Sequence, residues 1–250
     1  MSAQVTNTSS DRTKEMIAAI VPMLAGLRHV AVGASSPIPA SSALLARAMS
    51  GNRLKVSLLG SAKNNPFTDG AKELFDCAAQ GRIDAFFLSG GQIDGQANIN
   101  LMGIGDYPKL KARFPGTFGS AYLYHLIPRV ILFREEHTPR TLVKQVDFVS
   151  ASGTSARDAY RPGGPFALIT GLCAFRFDAA AQQFVLDTVH RGTTVDDVNA
   201  ATGFSFAMPD AVTETEPLSD EMQRLLRTEV AADVAEIYPQ FAAKLAERAG

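Results

Sequence analysis

In the first half of the chain, apolar residues come in short runs that end at glycine- and serine-rich breaks. Val30 to Val32, Leu54 to Leu59 and Ile83 to Leu88 each read as a buried strand. They stop at Gly33-Ala34-Ser35-Ser36-Pro37, at Gly60-Ser61 and at Ser89-Gly90-Gly91, where glycine lets a backbone turn sharply or lie against a ligand. Between these runs the apolar spacing becomes helical. Ala40, Leu44, Leu45 and Ala48 share one stripe of a helix over Pro39 to Met49, and a second helix covers Gly70 to Gln80. An earlier helix is predicted from a cap at Ser10 or Asp11 to about Leu27, kinked at Pro22. Strand, turn and helix in alternation predict an α/β fold with a mostly parallel sheet covered by helices. The loops at 33–37, 60–66 and 89–98 all leave carboxyl ends of strands, where such sheets bind ligands.

The pattern changes in the second half. β-rich runs at Arg129 to Arg134, Gln145 to Ser150, Phe166 to Ile169, Leu172 to Phe177 and Gln183 to Val189 follow at close spacing. They predict mixed or antiparallel strands added to the first sheet. A short helix over Val195 to Thr202 has Thr194 as its cap, and Ser219 caps another that opens with acids. Glu229 to Arg248 is amphipathic. With no linker or repeat, the expectation is a single domain over 1–250, flexible over 1–10, with a helical tail over 219–248.

Composition narrows the classes. The 250 residues are 46% hydrophobic and 20% charged, enough for a full core, and the net charge of −1 argues against a broad nucleic-acid surface. No apolar run reaches the ~20 residues of a membrane helix, and Met1 to Asp11 lacks the apolar core of a signal peptide. A cytoplasmic protein that binds neither membrane nor nucleic acid is expected. Cys77 and Cys173 lie far apart in apolar surroundings, so core packing is favoured over a disulfide or metal site. His29, His125, His137 and His190 show no metal-ligand spacing, and no metal is expected.

The densest polar chemistry follows the third strand. Gln92, Asp94, Gln96, Asn98 and Asn100 crowd the segment after Gly90-Gly91, which is either a ligand loop on a rigid strand or a turn rich in Gly and Asn. Asp94 can accept backbone amides and pin the loop, and Asn98 can hydrogen-bond without changing charge; both would shape the site without attacking substrate. Ser35 and Ser36 lack a Gly-x-Ser-x-Gly elbow, so they read as a phosphate- or substrate-contacting turn. Arg134, Glu135, Glu136 and Arg140 read as a surface charge cluster.

An ordered set of motifs then carries a resemblance. Gly90-Gly91-Gln92-Ile93-Asp94, Asn98-Ile99-Asn100 and Ile104-Gly105-Asp106-Tyr107 are followed by Lys111 through Ser120, Val146 through Ser150, Thr194 through Val198 and Ala201 through Phe204. Over about Arg28 to Glu229 the chain resembles the β subunit of class I CoA-transferases, the glutaconate type most closely. It is also similar to the β subunit of steroid-ring-cleaving CoA-ester hydrolases. The resemblance implies a CoA-transferase-like, Rossmann-like fold, a homologous α subunit as partner, acyl-CoA and a carboxylic acid as substrates, and no permanently bound cofactor. In such enzymes a glutamate attacks the thioester, giving an acyl-glutamyl anhydride and then an enzyme-CoA thioester, while backbone amides of a glycine-rich loop hold the oxyanion.

That loop corresponds here to Gly116, Phe118, Gly119 and Ser120, with Thr117 and Phe118 where smaller residues are usual. The substrate and CoA contacts implied are Ser35, Ser36, Gly60, Ser61, Gly90, Gly91, Gln92, Asp94, Asn98 and Asn100. Lys111 and Arg113, beside Lys109, either meet the phosphates of CoA or form a solvated loop. His125 touches substrate or merely packs. One departure matters most. The glutaconate-type nucleophile stands at the end of the second strand, where this chain reads Ser57-Leu58-Leu59-Gly60-Ser61. The glutamate's place falls at Leu58 or Leu59, and a hydrocarbon side chain cannot form the anhydride. The chain is therefore expected to lack the usual catalytic acid and to have little activity alone. Three readings follow: the catalytic acid comes from the α subunit, as in a ring-cleaving hydrolase; a divergent transferase uses another route; or the chain is a noncatalytic CoA-binding or scaffolding subunit.

Overall fold

The computed structural model describes residues 9–156 and 158–247. Helix α1, Ser9–Ile20, passes at Pro22 into a tighter turn, Val21–Leu24, at the place of the expected kink. The first half then alternates as predicted: β1 His29–Val32, α2 Pro37–Met49, β2 Lys55–Leu58, α3 Gly70–Ala79 and β3 Ala85–Leu88. Two small ribbons follow, β4 Gln92–Ile93 with β5 Ile99–Asn100, and β6 Gly103–Ile104 with β7 Ala112–Arg113. Next come α4 Ser120–Leu126, β8 Arg129–Arg134, β9 Pro165–Thr170, β10 Cys173–Asp178 and β11 Gln183–Val189. The chain closes with α5 Val195–Ala201, β12 Thr213–Glu214, α6 Asp220–Leu225, a wide turn at Leu226–Val230, α7 Ala231–Ala235 and α8 Pro239–Ala246.

Eight strands form one sheet in the order β12-β11-β10-β9-β8-β3-β1-β2. From β2 to β9 the pairs are parallel, and β9, β10 and β11 are antiparallel. The second-half strands thus extend the first sheet, as their close spacing implied. Side chains alternate strictly between two cores, because successive Cβ atoms point to opposite faces of a strand. Val30, Val32, Phe87 and Ile131 pack under α1, α2 and the C-terminal helices. Ala31, Phe86, Leu88, Val130 and Leu132 face α3, α4 and the segment around Ile93 and Ile99.

Several expectations are corrected. Gln145 to Ser150 is not a strand. Its backbone meets side-chain acceptors in place of a ladder: Val146 N donates to Asp94 Oδ2 at 3.4 Å and Asp147 N to Gln92 Oε1 at 2.9 Å. Ser10 and Asp11 lie within α1, not at its cap. Of the residues 1–10 expected to be flexible, 1–8 lie outside the described residues and Ser9 and Ser10 are helical. The tail is broken into short helices, interrupted at Tyr238-Pro239, and Arg248 lies outside the described residues. Thr194 caps α5 as expected, through a reciprocal pair in which Thr194 Oγ1 accepts from Asp197 N and Asp197 accepts from Thr194 N. Among the described residues, no helix is long and apolar enough to cross a membrane.

Candidate functional site

A cavity of about 840 Å³ opens beyond the carboxyl ends of β1, β2, β3 and β8, the position that a parallel sheet favours for ligands. Two of the three predicted loops, 33–37 and 89–98, reach it, whereas the loop at 60–66 contributes no described lining residue. Ser35 and Ser36 follow β1, Leu59 follows β2, and Ser89, Gly90 and Gly91 follow β3. The segment from Phe114 to Phe118, with Ser120, forms another wall, and Phe86, Leu88, Leu101 and Phe133 make much of the lining apolar.

Local backbone geometry explains how these residues reach the cavity. Ser35 takes φ 56° and Phe118 φ 46°, left-handed conformations that are costly for a residue with a Cβ. Ser36 N donates to Tyr238 Oη at 3.0 Å, so the C-terminal segment holds the first loop. Gly91 touches the Phe114 ring so closely that a Cβ there would lie 2.2 Å from it. Gly116, at φ 103°, sends its N–H to Leu101 O at 3.0 Å, and Ser120 N–H goes to Thr117 O at 2.8 Å. Those two amides are already committed. Phe118 is 80% exposed and its ring sits 5.8 Å from Phe75.

Of the residues singled out in sequence, Ser35, Ser36, Gly90, Gly91, Gly116, Phe118 and Ser120 line the cavity. The others do not. Gly119 packs its backbone on Phe75. Ser61 is buried and donates to Glu236 Oε2 at 2.6 Å, with Gly60 turning beside it at φ 92°. Lys111 and Arg113 are exposed on and beside the β6–β7 ribbon, next to the lining residues Ile104 and Phe114 but not themselves lining the cavity. His125 hydrogen-bonds Tyr160 O at 2.8 Å and does not line the cavity.

Gln92, Asp94, Asn98 and Asn100 lie behind the cavity as a buried lattice of amides. Asp94 Oδ1 accepts from Gln96 N and Asn98 N at 3.1 and 3.0 Å, and Oδ2 accepts from Asn98 Nδ2 at 3.1 Å. Asn98 Oδ1 accepts from Gly153 N at 3.1 Å. Asn100 Nδ2 donates to Gln92 Oε1 and to Gly103 O, both at 2.7 Å. These side chains satisfy buried groups of neighbouring loops, which would otherwise be costly. Asp94 pins its loop, as its position suggested, but from within the protein.

One feature of the site was missed in sequence. Arg134, Glu136 and Arg140, taken for a surface cluster, line the cavity, and Glu136 is the only acid among its described lining residues. Arg140 Nη2 donates to Glu136 Oε1 at 2.6 Å and Arg134 Nη2 to Oε2 at 3.1 Å. Arg140 Nε and Thr138 Oγ1 also donate to Oε1, at 3.2 and 3.1 Å. The Arg140 contact first, then those of Arg134 and Thr138, hold Glu136 below the usual carboxylate range against the effect of burial. The signal was available: these residues end or follow β8, a parallel strand whose carboxyl end obeys the same rule as β1 to β3. The neighbouring His137 turns the other way, between Thr170 Oγ1 at 2.7 Å and Thr202 Oγ1 at 2.8 Å.

The carboxyl end of β2 carries no acid. Leu58 is 1% exposed in the core, and Leu59 faces the cavity. The family comparison agrees with the motifs: the Coenzyme A transferase model matches residues 15–201. The chain belongs to the coenzyme A transferase family. It is 35% identical over 153 residues to the β subunit of 3-oxoadipate CoA-transferase from Pseudomonas knackmussii, a match spanning 58% of each chain. It is 28% identical over 151 residues to the β subunit of glutaconate CoA-transferase from Acidaminococcus fermentans, across 58% of this chain and 56% of that one. It is 29% identical over 161 residues to the cholesterol ring-cleaving hydrolase IpdB subunit of Rhodococcus jostii, across 62% of each. The matches thus span less than two thirds of these relatives' lengths, and identity to the 3-oxoadipate enzyme exceeds that to the glutaconate enzyme. The fold is shared with the decarboxylase AibA/AibB, at TM-score 0.72 and 22% identity over 94% of this chain and 98% of that one.

Proposed function

We propose that this chain is the β-type subunit of a two-subunit enzyme of the CoA-transferase family, acting in the cytoplasm on an acyl-CoA thioester. The observation that carries this reading is Leu59 facing the cavity at the end of β2, with Glu136, the only acid among the described lining residues, bound by two arginines. A carboxylate ion-paired to two arginines and held below its usual range is a weak nucleophile, so a partner chain supplies the acid that attacks the thioester. This half supplies the acyl cavity and the loop that meets the developing oxyanion. Because the amides of Gly116 and Ser120 are committed and Gly119 packs on Phe75, the oxyanion falls to the amides of Thr117 and Phe118. CoA enters as substrate and leaves bound to the second carboxylic acid. Two buried free thiols fit a reducing compartment.

The second reading is CoA-ester hydrolysis with ring cleavage, favoured by the 29% identity to the IpdB subunit and by an end of β2 that offers no group to hold an acyl intermediate. The test is to purify the chain alone and with a co-expressed α-type chain, then follow CoA transfer and thioester hydrolysis over a panel of acyl-CoAs. Turnover confined to the pair is expected. Robust turnover by the isolated chain would refute the two-subunit reading. Borohydride trapping followed by peptide mass analysis adds a second check. A stoichiometric adduct on a glutamate of this chain would refute the assignment of the nucleophile to the partner.

A further inference from the structure

The loop after β2 begins at Gly60, directly beyond the cavity-facing Leu59, and a carboxylate from the C-terminal tail holds it. Glu236, at the end of α7, accepts from the buried Ser61 Oγ at 2.6 Å, from Ala62 N at 2.6 Å and from Lys63 N at 3.2 Å. The Ser61 hydroxyl first, then the Ala62 amide, hold Glu236 below the usual carboxylate range. Asp233, just before it, pairs with Lys63 of the same loop and with Arg47 of α2 at 2.7 Å. Arg47 Nη1 donates in turn to Asn64 Oδ1 at 2.8 Å. Tyr238, just after it, accepts from Ser36 N at 3.0 Å in the loop that follows β1. The short stretch from Asp233 to Tyr238 therefore takes up donors from two loops, and the cavity-lining Ser36 and Leu59 lie in or beside those loops. The tail has its own anchorage, since Val230, Val234 and Leu245 are buried in the same core as α2.

We propose that Glu236 and Tyr238 are positioning residues for the acyl-CoA site, clamping the β1 and β2 loops so that Ser36 and Leu59 stand where the ligand meets them. The inference rests on the CoA-ester reading above and adds to it the C-terminal tail as a working part of the site. Ser35, beside Ser36, sits at φ 56°, and such a conformation persists only where the surroundings over-determine it. Hydrogen bonds from amides to a carboxylate are among the stronger ones, and Glu236 gathers its contacts on one short loop. Loops left unordered in the free protein would have to be ordered by the ligand, and that cost would lower affinity. The coupling is reciprocal: a tail that favours the binding-competent loops is itself steadied by the ligand. A tail that only covered the core would neither set affinity nor respond to binding.

The test uses the complex of this chain with its α-type partner, with CoA and acetyl-CoA as probes. Binding is measured by calorimetry, and hydrogen exchange is followed by mass spectrometry with and without each probe. In the wild type, a bound probe should slow exchange in the tail over 231–247 as well as in 33–37 and 59–66. This measurement tests the clamp without any substitution. Glu236→Ala combined with Tyr238→Phe should weaken binding about tenfold, the scale of one or two hydrogen bonds, and should abolish the protection of the tail. Glu236→Gln keeps a carbonyl oxygen for the amides and should recover part of both effects. Binding without protection of the tail, or a double variant of unchanged affinity, overturns the clamp while leaving the CoA-ester reading intact. Failure of the wild-type complex to bind either probe overturns both.

Discussion

Two stretches of one polar segment do opposite work. Ser89, Gly90 and Gly91 face the cavity, whereas Gln92, Asp94, Asn98 and Asn100 turn inward and tie loops together behind it. The pair Glu136 and His137 splits in the same way, one residue into the cavity and the next between two threonines. The residues of this segment that face the cavity are the small ones. The amide and acid side chains that looked like ligand contacts are already used up. A dense run of polar residues marks a place where the backbone needs acceptors, and a ligand site is only one reason for that need.

Acid should expose this division most strongly. His137 and His190 are buried and neutral, each lowered to about 4 chiefly by desolvation. The unfolded chain binds these protons near pH 6.5 and the folded protein only near pH 4. Their contribution to stability is therefore complete above pH 6.5 and is lost as pH falls toward 4. Linkage puts the loss at about 3 kcal/mol per histidine. Urea unfolding at a series of pH values checks this; a flat profile between pH 7 and 4.5 would contradict the neutral, buried state of both rings.

Asp94→Ala should come next, at about 3 to 5 kcal/mol, since it strands several buried donors at once. The contrast predicts that folded Asp94→Ala protein keeps much of its acyl-CoA affinity. A variant of native stability that has lost affinity would place Asp94 on the ligand side after all. Gly91→Ala should behave in the reverse way. A Cβ meets the Phe114 ring, part of the cavity wall, so the ring must move. The stability cost is about 1 to 3 kcal/mol, with ligand affinity hit harder than in Asp94→Ala; comparison of melting and binding for the two variants decides it. The smallest effect is expected of Tyr238→Phe. It removes one acceptor from Ser36 N, worth about 1 kcal/mol, and loosens the Ser35–Ser36 wall in hydrogen exchange while the sheet core stays protected.

The α/β class, the order of the first three strands and their helices, and the family motifs are all legible in the sequence. Each of these depends on local signals: runs of apolar residues, glycines at strand ends, caps such as Thr194 and Ser219. The loops that leave the carboxyl ends of strands are legible for the same reason. Sequence patterning overstated the strand at Gln145 to Ser150, because an apolar alternation does not reveal that Asp94 and Gln92, some fifty residues earlier, take up its amides. Side-chain direction was likewise undecided. Whether Asp94 faces a ligand or a loop, and whether Glu136 faces solvent or a cavity, depends on partners distant in the chain, and the energy of a buried polar group is set by those partners. Packing alone brings Tyr238 to Ser36, Glu236 to Ser61, and Arg134, Glu136 and Arg140 to the same cavity as Leu59.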